Sequence, residues 1–221
     1  MLSYKTKVKI YDLIRNFFNI FNLQFYYSKK LSMPRNLGIE LIIDVGVAYG
    51  TDFLLDNYPK AKYILIEPYK KFWPFIENNL LKKINGKLFK IGLDIKKGKK
   101  KFYLLDVSSS LIKRKNMPKH SFHLINVDKL DNVLNFRISK KSLLKIDTEG
   151  NELNVLKGAK KILKKINYLV LEIRIDQIKT YNPSELISFC YKNGFIWKQI
   201  LDISYSKFGV NYLDVLFERK K

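Results

Sequence analysis

Leu41-Ile42-Ile43-Asp44-Val45-Gly46-Val47-Ala48-Tyr49-Gly50-Thr51 decides how this chain is read. The stretch begins as a short apolar run with a β-branched bias, the pattern of a strand buried on both faces. An acid and two glycines, Asp44, Gly46 and Gly50, follow. Glycine permits a tight turn and lets a ligand approach the backbone closely. Asp52-Phe53-Leu54-Leu55 then opens a helix, with Thr51 or Asp52 near its N-terminus. A strand, a glycine turn and a helix N-terminus form the usual cradle for a nucleotide-like ligand. The spacing Asp-x-Gly-x-x-x-Gly is neither the dinucleotide fingerprint Gly-x-Gly-x-x-Gly nor a phosphate loop ending in Gly-Lys-Ser/Thr. Taken alone, it also describes a plain strand-to-helix turn.

The next stretch tips that balance. Lys62-Tyr63-Ile64-Leu65-Ile66-Glu67-Pro68 reads as a second strand ending in an acid, and Glu67 lies 23 positions after Asp44. A carboxylate at the end of the second strand, about 20 residues past the glycine turn, is where this architecture accepts ribose hydroxyls. Two neighbouring hydroxyls can both donate to one carboxylate. Further on, Ser142-Leu143-Leu144-Lys145-Ile146-Asp147 reads as a fourth strand. Its C-terminal end falls beside the glycine turn, across the switch point of the sheet. Asp147 comes directly off this strand, whereas Glu149 and Glu152 open the following helix, where acids also suit the helix dipole. Tyr168-Leu169-Val170-Leu171-Glu172-Ile173 is a fifth strand that brings Glu172 to the same edge.

The three motifs together resemble the FkbM family of S-adenosylmethionine-dependent methyltransferases: Asp44 to Gly50, then Ile66-Glu67-Pro68, then Lys145-Ile146-Asp147-Thr148-Glu149-Gly150-Asn151-Glu152 continuing through Val155-Leu156-Lys157-Gly158-Ala159. The family pattern is Asp-Val-Gly-Ala-Asn-x-Gly in the first motif and Lys-Ile-Asp-x-Glu-Gly-x-Glu-x-x-Val-Leu-x-Gly-Ala in the last. The resemblance covers roughly residues 38 to 175. One departure is Ala48, where the family usually has Asn; it removes an amide that could contact the ligand or brace the loop. The resemblance implies a doubly wound, mostly parallel seven-stranded α/β sheet of the Rossmann-like class I type. It implies S-adenosyl-L-methionine bound by Asp44, Gly46, Ala48, Gly50, Thr51, Glu67 and Pro68. Asp94, just after the third strand, stands where related enzymes hold the adenine. The acceptor side would use Asp147, with Glu149 and Glu172 in support, for O-methylation of a sugar, glycan or natural-product hydroxyl. Asp147 and Glu172 could also hold a divalent metal through hard oxygen ligands. The Asp-Asn pair of the catechol-type enzymes is missing, so no metal is expected.

At 221 residues the chain suffices for one full core. The boundary expected from Pro34 and Asn36-Leu37-Gly38 separates an extension, 1–37, from a methyltransferase domain, 38–221. In the extension, Ile10, Leu13, Ile14, Phe17, Phe18 and Phe21 recur at helical spacing among Lys5, Lys7, Lys9, Lys29 and Lys30. Such basic amphipathic helices either pack on the core or touch a membrane surface peripherally. One cysteine, Cys190, excludes an internal disulfide and suits a reducing compartment. With no apolar run of spanning length and no signal-peptide pattern, a cytoplasmic protein is expected.

Lys+Arg number 42 against 20 Asp+Glu, a formal net charge of +22. That invites a nucleic-acid partner. Lysine heavily outnumbers arginine, however, and specific phosphate and base recognition favours arginine forks. A lysine-rich composition is the better reading, and an RNA-methylating enzyme is the second reading of function. No Asn/Asp-Pro-Pro-Tyr motif for amine methylation occurs.

The remaining elements are coarser. A helix is expected over 69–81, interrupted near Pro74, then a third strand over Lys87–Gly92. A lysine-rich turn, 96–101, leads into Phe102-Tyr103-Leu104-Leu105 as an extra hairpin. The stretch from Ser108 through His120 and His123 reads as irregular, and either histidine as a base is the less favoured option. Residues 183–193 form a helix closed by Gly194, and two last strands, 195–201 and 211–217, add an antiparallel edge pair. Acceptor identity and oligomeric state are not written in the sequence.

Overall fold

The computed structural model describes residues 33–35, 37–114, 117, 121–135, 138, 141–175, 181–206 and 209–220. The helices expected within 1–32, and His120, lie outside the described residues. Among the described residues no helix is long and apolar enough to cross a membrane.

The chain lays down β1 (Leu41–Val45), α1 (Asp52–Asn57), β2 (Lys62–Ile66), α2 (Trp73–Phe75, continuing as the π-helical turn Ile76–Leu80), β3 (Asn85–Phe89), β4 (Gly92–Leu93), β5 (Gly98–Tyr103) and β6 (Phe122–Asp128). Then come α3 (Leu130–Val133), β7 (Ser142–Ile146), α4 (Glu152–Lys157), α5 (Lys160–Leu163), β8 (Tyr168–Arg174), α6 (Pro183–Lys192), β9 (Phe195–Ser206) and β10 (Gly209–Arg219). Seven strands make one sheet in the order β3-β2-β1-β7-β8-β10-β9. The pairs from β3 to β8 are parallel, and β10 runs antiparallel to both β8 and β9. The jump from β1 to β7 is the switch point, where the strand ends leave a crevice for ligands.

Strict alternation divides the sheet's side chains between two apolar layers. Leu41, Ile43 and Val45 of β1 join Ile64, Ile66, Leu144, Ile146, Leu169 and Leu171 on one side. Ile42 joins Tyr63, Leu65, Leu143, Val170 and Leu216 on the other. Both layers are closed, so β1 is buried along its whole length. Cys190 sits in the first layer, and burial pushes its thiol up to about 12, the mark of an inert structural cysteine.

Several expectations change. Pro74 lies in the first turn of α2 instead of breaking a longer helix; its missing N–H is harmless there. The third strand starts earlier and stops at Phe89, because Gly92-Leu93 belongs to a second sheet, β4-β6-β5. The lysine-rich stretch is itself strand, β5, and pairs antiparallel with Phe122–Asp128 across a long connection instead of forming a tight hairpin. Phe-His-Leu-Ile-Asn-Val-Asp is half exposed on both sides, so its alternation is weak, and His123 stands on this strand and not in a loop. The last two strands are also longer than the apolar pattern indicates.

Candidate active site

The glycine turn leaves β1 and presses against the end of β7. Gly46 has φ +80, and a Cβ built there would lie 1.7 Å from the backbone oxygen of Asp147. Only glycine lets the two chain segments meet at that distance. The Asp147 N–H donates to the Val45 carbonyl at 3.0 Å, closing the seam. Gly50 has φ +104, and Ala48 has φ +45. Asparagine tolerates that left-handed conformation far better than alanine. The asparagine usual at this position in the family therefore has a backbone reason, beyond the amide considered from sequence.

Glu67 is 4% exposed and held between two loops. Its Oε2 accepts from the Ala48 N–H at 2.9 Å and its Oε1 from the Tyr69 N–H at 2.7 Å. The Val47 N–H adds a third, weaker backbone contribution, and the carboxylate keeps some acceptor capacity for a hydroxyl. Burial pushes its pKa up despite these hydrogen bonds. Pro68 follows at the turn and is only half-buried. Thr51 does not cap α1 with its side chain; its hydroxyl donates to Asp44 Oδ2 at 2.8 Å.

Strand register gathers the charged groups. Asp44 is paired with Lys145 in the β1–β7 ladder. Ile42, Leu65, Leu143, Val170 and Leu216 all face the second layer. Two residues from each of them stand Asp44, Glu67, Lys145, Glu172 and Asp214, so these five share one face of five adjacent strands. Lys145 Nζ lies 3.3 Å from Asp44 Oδ1, 3.3 Å from Asp147 Oδ2 and 3.0 Å from the Gly46 carbonyl to which it donates. Burial opposes its positive charge, but Asp147, Asp44 and Asp214 outweigh that and hold its pKa above the usual lysine value. The partnership is unequal. Asp44 is fully enclosed and shares its one cation, so burial pushes its carboxyl up. Its Oδ1 has the ion pair but no aligned hydrogen bond.

The acids at the ends of β7 and β8 converge. Asp147, Glu149 and Glu172 each place an oxygen within 4.8 Å of the others. Glu149, at φ +56, accepts from Arg114 at 2.8 Å and from Arg174 at 2.5 Å; Arg174 is also 3.2 Å from Glu172. Acids so placed could share a hard cation, but the two guanidinium groups already supply the positive charge there. Burial, reinforced by the charges of Asp147, Glu149 and Glu152, pushes the Glu172 carboxyl well up. Glu152 braces the loop from below. Its Oε1 accepts from Thr148 N and Gly150 N, both at 2.9 Å, and its Oε2 accepts from the Tyr181 hydroxyl at 2.7 Å.

Asp94 stands apart from this convergence. It is fully buried; its Oδ1 accepts from the Ile95 N–H, and its Oδ2 is ion-paired with Lys100 but has no aligned hydrogen bond. Asp214 was missed by sequence reasoning. It faces Glu172 of β8 and Asp202 of β9 across the ladders, and burial plus the Asp147 charge push it up to about 7. An acid in the apolar run Tyr212-Leu213-Asp214-Val215-Leu216 was the available signal.

A glycine turn and a strand-end acid at the switch point, in a sheet with one reversed strand next to its edge, define the class I, Rossmann-like methyltransferases. Within that class, the family model for the methyltransferase FkbM domain matches residues 44–197. The chain belongs to the FkbM methyltransferase family. A similar solved structure is the methyltransferase FkbM of Methylobacillus flagellatus KT, with 16% identity and a TM-score of 0.50 over 88% of this chain. The chain spans about half of that relative, 46% of its length. More distant likenesses include the magnesium protoporphyrin IX methyltransferase of Synechocystis (9% identity, 96% of this chain and 79% of that one, TM-score 0.48) and an rRNA methylase of Streptococcus thermophilus (13% identity, 89% and 100%, TM-score 0.48). No curated protein sequence matches the chain.

Proposed function

We propose that this protein transfers a methyl group from S-adenosyl-L-methionine to a hydroxyl of a sugar, glycan or small natural product. The observation that carries the reading is the seam at Gly46, where the turn suited to the methyl donor touches the strand end bearing Asp147. The residues fit the donor. The turn supplies close backbone approach, and Glu67 keeps acceptor capacity for ribose hydroxyls beside its backbone donors. Asp44, Gly46, Ala48, Gly50 and Pro68 shape the pocket, with Thr51 acting through Asp44. The bound donor would supply an electrophilic methyl on a cationic sulfur.

The chain's own residues then have two tasks. They align an acceptor oxygen with the methyl and exclude water. They also take the hydroxyl proton, for which Asp147, one-third exposed at the strand end, is our choice. An acceptor oxygen so held would use its own lone pair for the new bond to the methyl carbon while the pair of the carbon–sulfur bond leaves with sulfur, and Asp147 would hold the proton the hydroxyl gives up. Glu149 and Glu172, fixed by Arg114 and Arg174, would orient further acceptor hydroxyls. An RNA acceptor draws support only from the charge of +22. The acids beside Asp147 would repel a polyanion there. A cytoplasmic location, and a docking or peripheral membrane role for residues 1–37, belong to the same proposal.

Calorimetric titration with S-adenosylmethionine and S-adenosylhomocysteine tests it. Wild type should bind both, and Glu67→Ala should weaken both by roughly 100-fold, as loss of a buried carboxylate partner for two hydroxyls predicts. A screen of sugar hydroxyls follows. Absence of binding by folded wild type would sink the proposal.

A further inference from the structure

Across the strand ends, Lys145 is the cation in a row that otherwise holds Glu67, Asp44, Glu172 and Asp214, with Arg174 one step further out along β8. It is buried and touches both sides of the seam at once. On the turn side it holds the Gly46 carbonyl and Asp44; on the acceptor side it holds Asp147. The ladder pairing of Lys145 with Asp44 sets the two residues side by side at the strand ends, within reach of both segments of the seam. A lysine here is costly to bury, and three hydrogen-bonding or ionic partners offset that cost.

We infer that Lys145 is a positioning residue that joins the methyl-donor turn to Asp147 and sets the charge presented to the donor's sulfur. The inference rests on the methyl-donor reading above. Asp44 on β1, Asp147 after β7, Asp214 on β10 and Glu67 after β2 all lie within electrostatic reach of the ammonium. Glu172 faces Asp147 from β8, and Asp202 faces Asp214 from β9. Without the lysine these acids would face the donor with one more uncompensated negative charge. S-adenosylmethionine carries a sulfonium charge and S-adenosylhomocysteine does not, so the ratio of their affinities reports that charge and needs no acceptor.

Calorimetry on the full chain compares wild type, Lys145→Met, Asp147→Asn and the double variant. In Lys145→Met the preference for S-adenosylmethionine should rise about 15-fold, the size of a unit charge at about 10 Å under near-surface screening. In Asp147→Asn it should fall by a similar factor, and in the double variant it should return to the wild-type ratio. A lysine that serves only to hold the fold would change both affinities equally. An unchanged ratio in Lys145→Met overturns the inference, as does a double variant that fails to restore the balance. Should Lys145→Met not fold, an Asp147→Asn ratio equal to that of wild type overturns it, and a lowered ratio there, reset by the folded double variant, upholds it. Wild type that binds neither ligand overturns the methyl-donor reading itself, a result distinct from all of these.

Discussion

The two sides of the switch point hold their carboxylates by different means. On the β2–β1 side, Glu67 is fastened by backbone amides, Ala48 N–H and Tyr69 N–H. On the β7–β8–β10 side, Glu149 and Glu172 are fastened by side chains, the guanidinium groups of Arg114 and Arg174. Backbone donors are fixed once the fold is fixed. Arginine forks depend on which residues the surrounding loops happen to carry. The first arrangement suits a ligand shared by a whole family; the second suits an acceptor that differs between members. Each side has an exception: Asp44 on β1 is held by the Thr51 hydroxyl and Lys145, and Glu152 accepts from the Thr148 and Gly150 amides and braces the loop, leaving Glu149 free of that duty.

The most damaging way to break the contrast is at the point where the two sides touch. Gly46→Ala would set a Cβ against the Asp147 carbonyl and force alanine to φ +80. Thermal unfolding should show a loss of at least about 4 kcal/mol or no folded protein. A loss under about 1 kcal/mol would mean the seam yields.

A middle-sized effect comes from the acceptor side. Asp214 has its pKa raised to about 7, chiefly by burial. Between the ordinary carboxylate value and 7 the folded state holds a proton that the unfolded chain has released. Stability therefore falls as pH rises through that window, and above it the full cost applies. Asp214→Asn should remove that cost, giving on the order of 2 kcal/mol more stability at pH 8 than wild type and little difference at pH 4. Denaturant midpoints at the two pH values check this; an equal gain at both would remove Asp214 from the set of titrating groups.

The smallest effect sharpens the picture on the donor side. Ala48→Asn relieves the left-handed strain at φ +45 and keeps the N–H that Glu67 accepts. It should stabilise the chain by about 0.5–1 kcal/mol. A destabilised variant would mean that the asparagine side chain has no room above the turn.

Much of this was legible in advance because parallel strands buried on both faces read as apolar runs, and β1, β2, β7 and β8 are such runs. The turn after β1 was legible as a turn because Gly46 and Gly50 take conformations that favour glycine. Other parts follow from long-range pairing, which no local pattern carries. The union of β5 with β6 joins segments with unremarkable alternation. The arrival of Asp214 beside Glu172 depends on the antiparallel register of β10. Arg114 reaches Glu149 from a stretch that reads as irregular. The ion pair of Asp94 with Lys100 on β5 uses a residue that in sequence is one more lysine of a solvated turn.

The Gly46–Lys145 bond spans 99 positions of chain. During synthesis the glycine turn therefore emerges long before the strand that completes it. A nascent chain stopped short of β7 would carry the turn without its ammonium or the carbonyl that closes against it. Pairing of β7 with β1 is thus the step that creates the pocket, and a small molecule bound there can favour only conformations in which this distant closure has already taken place.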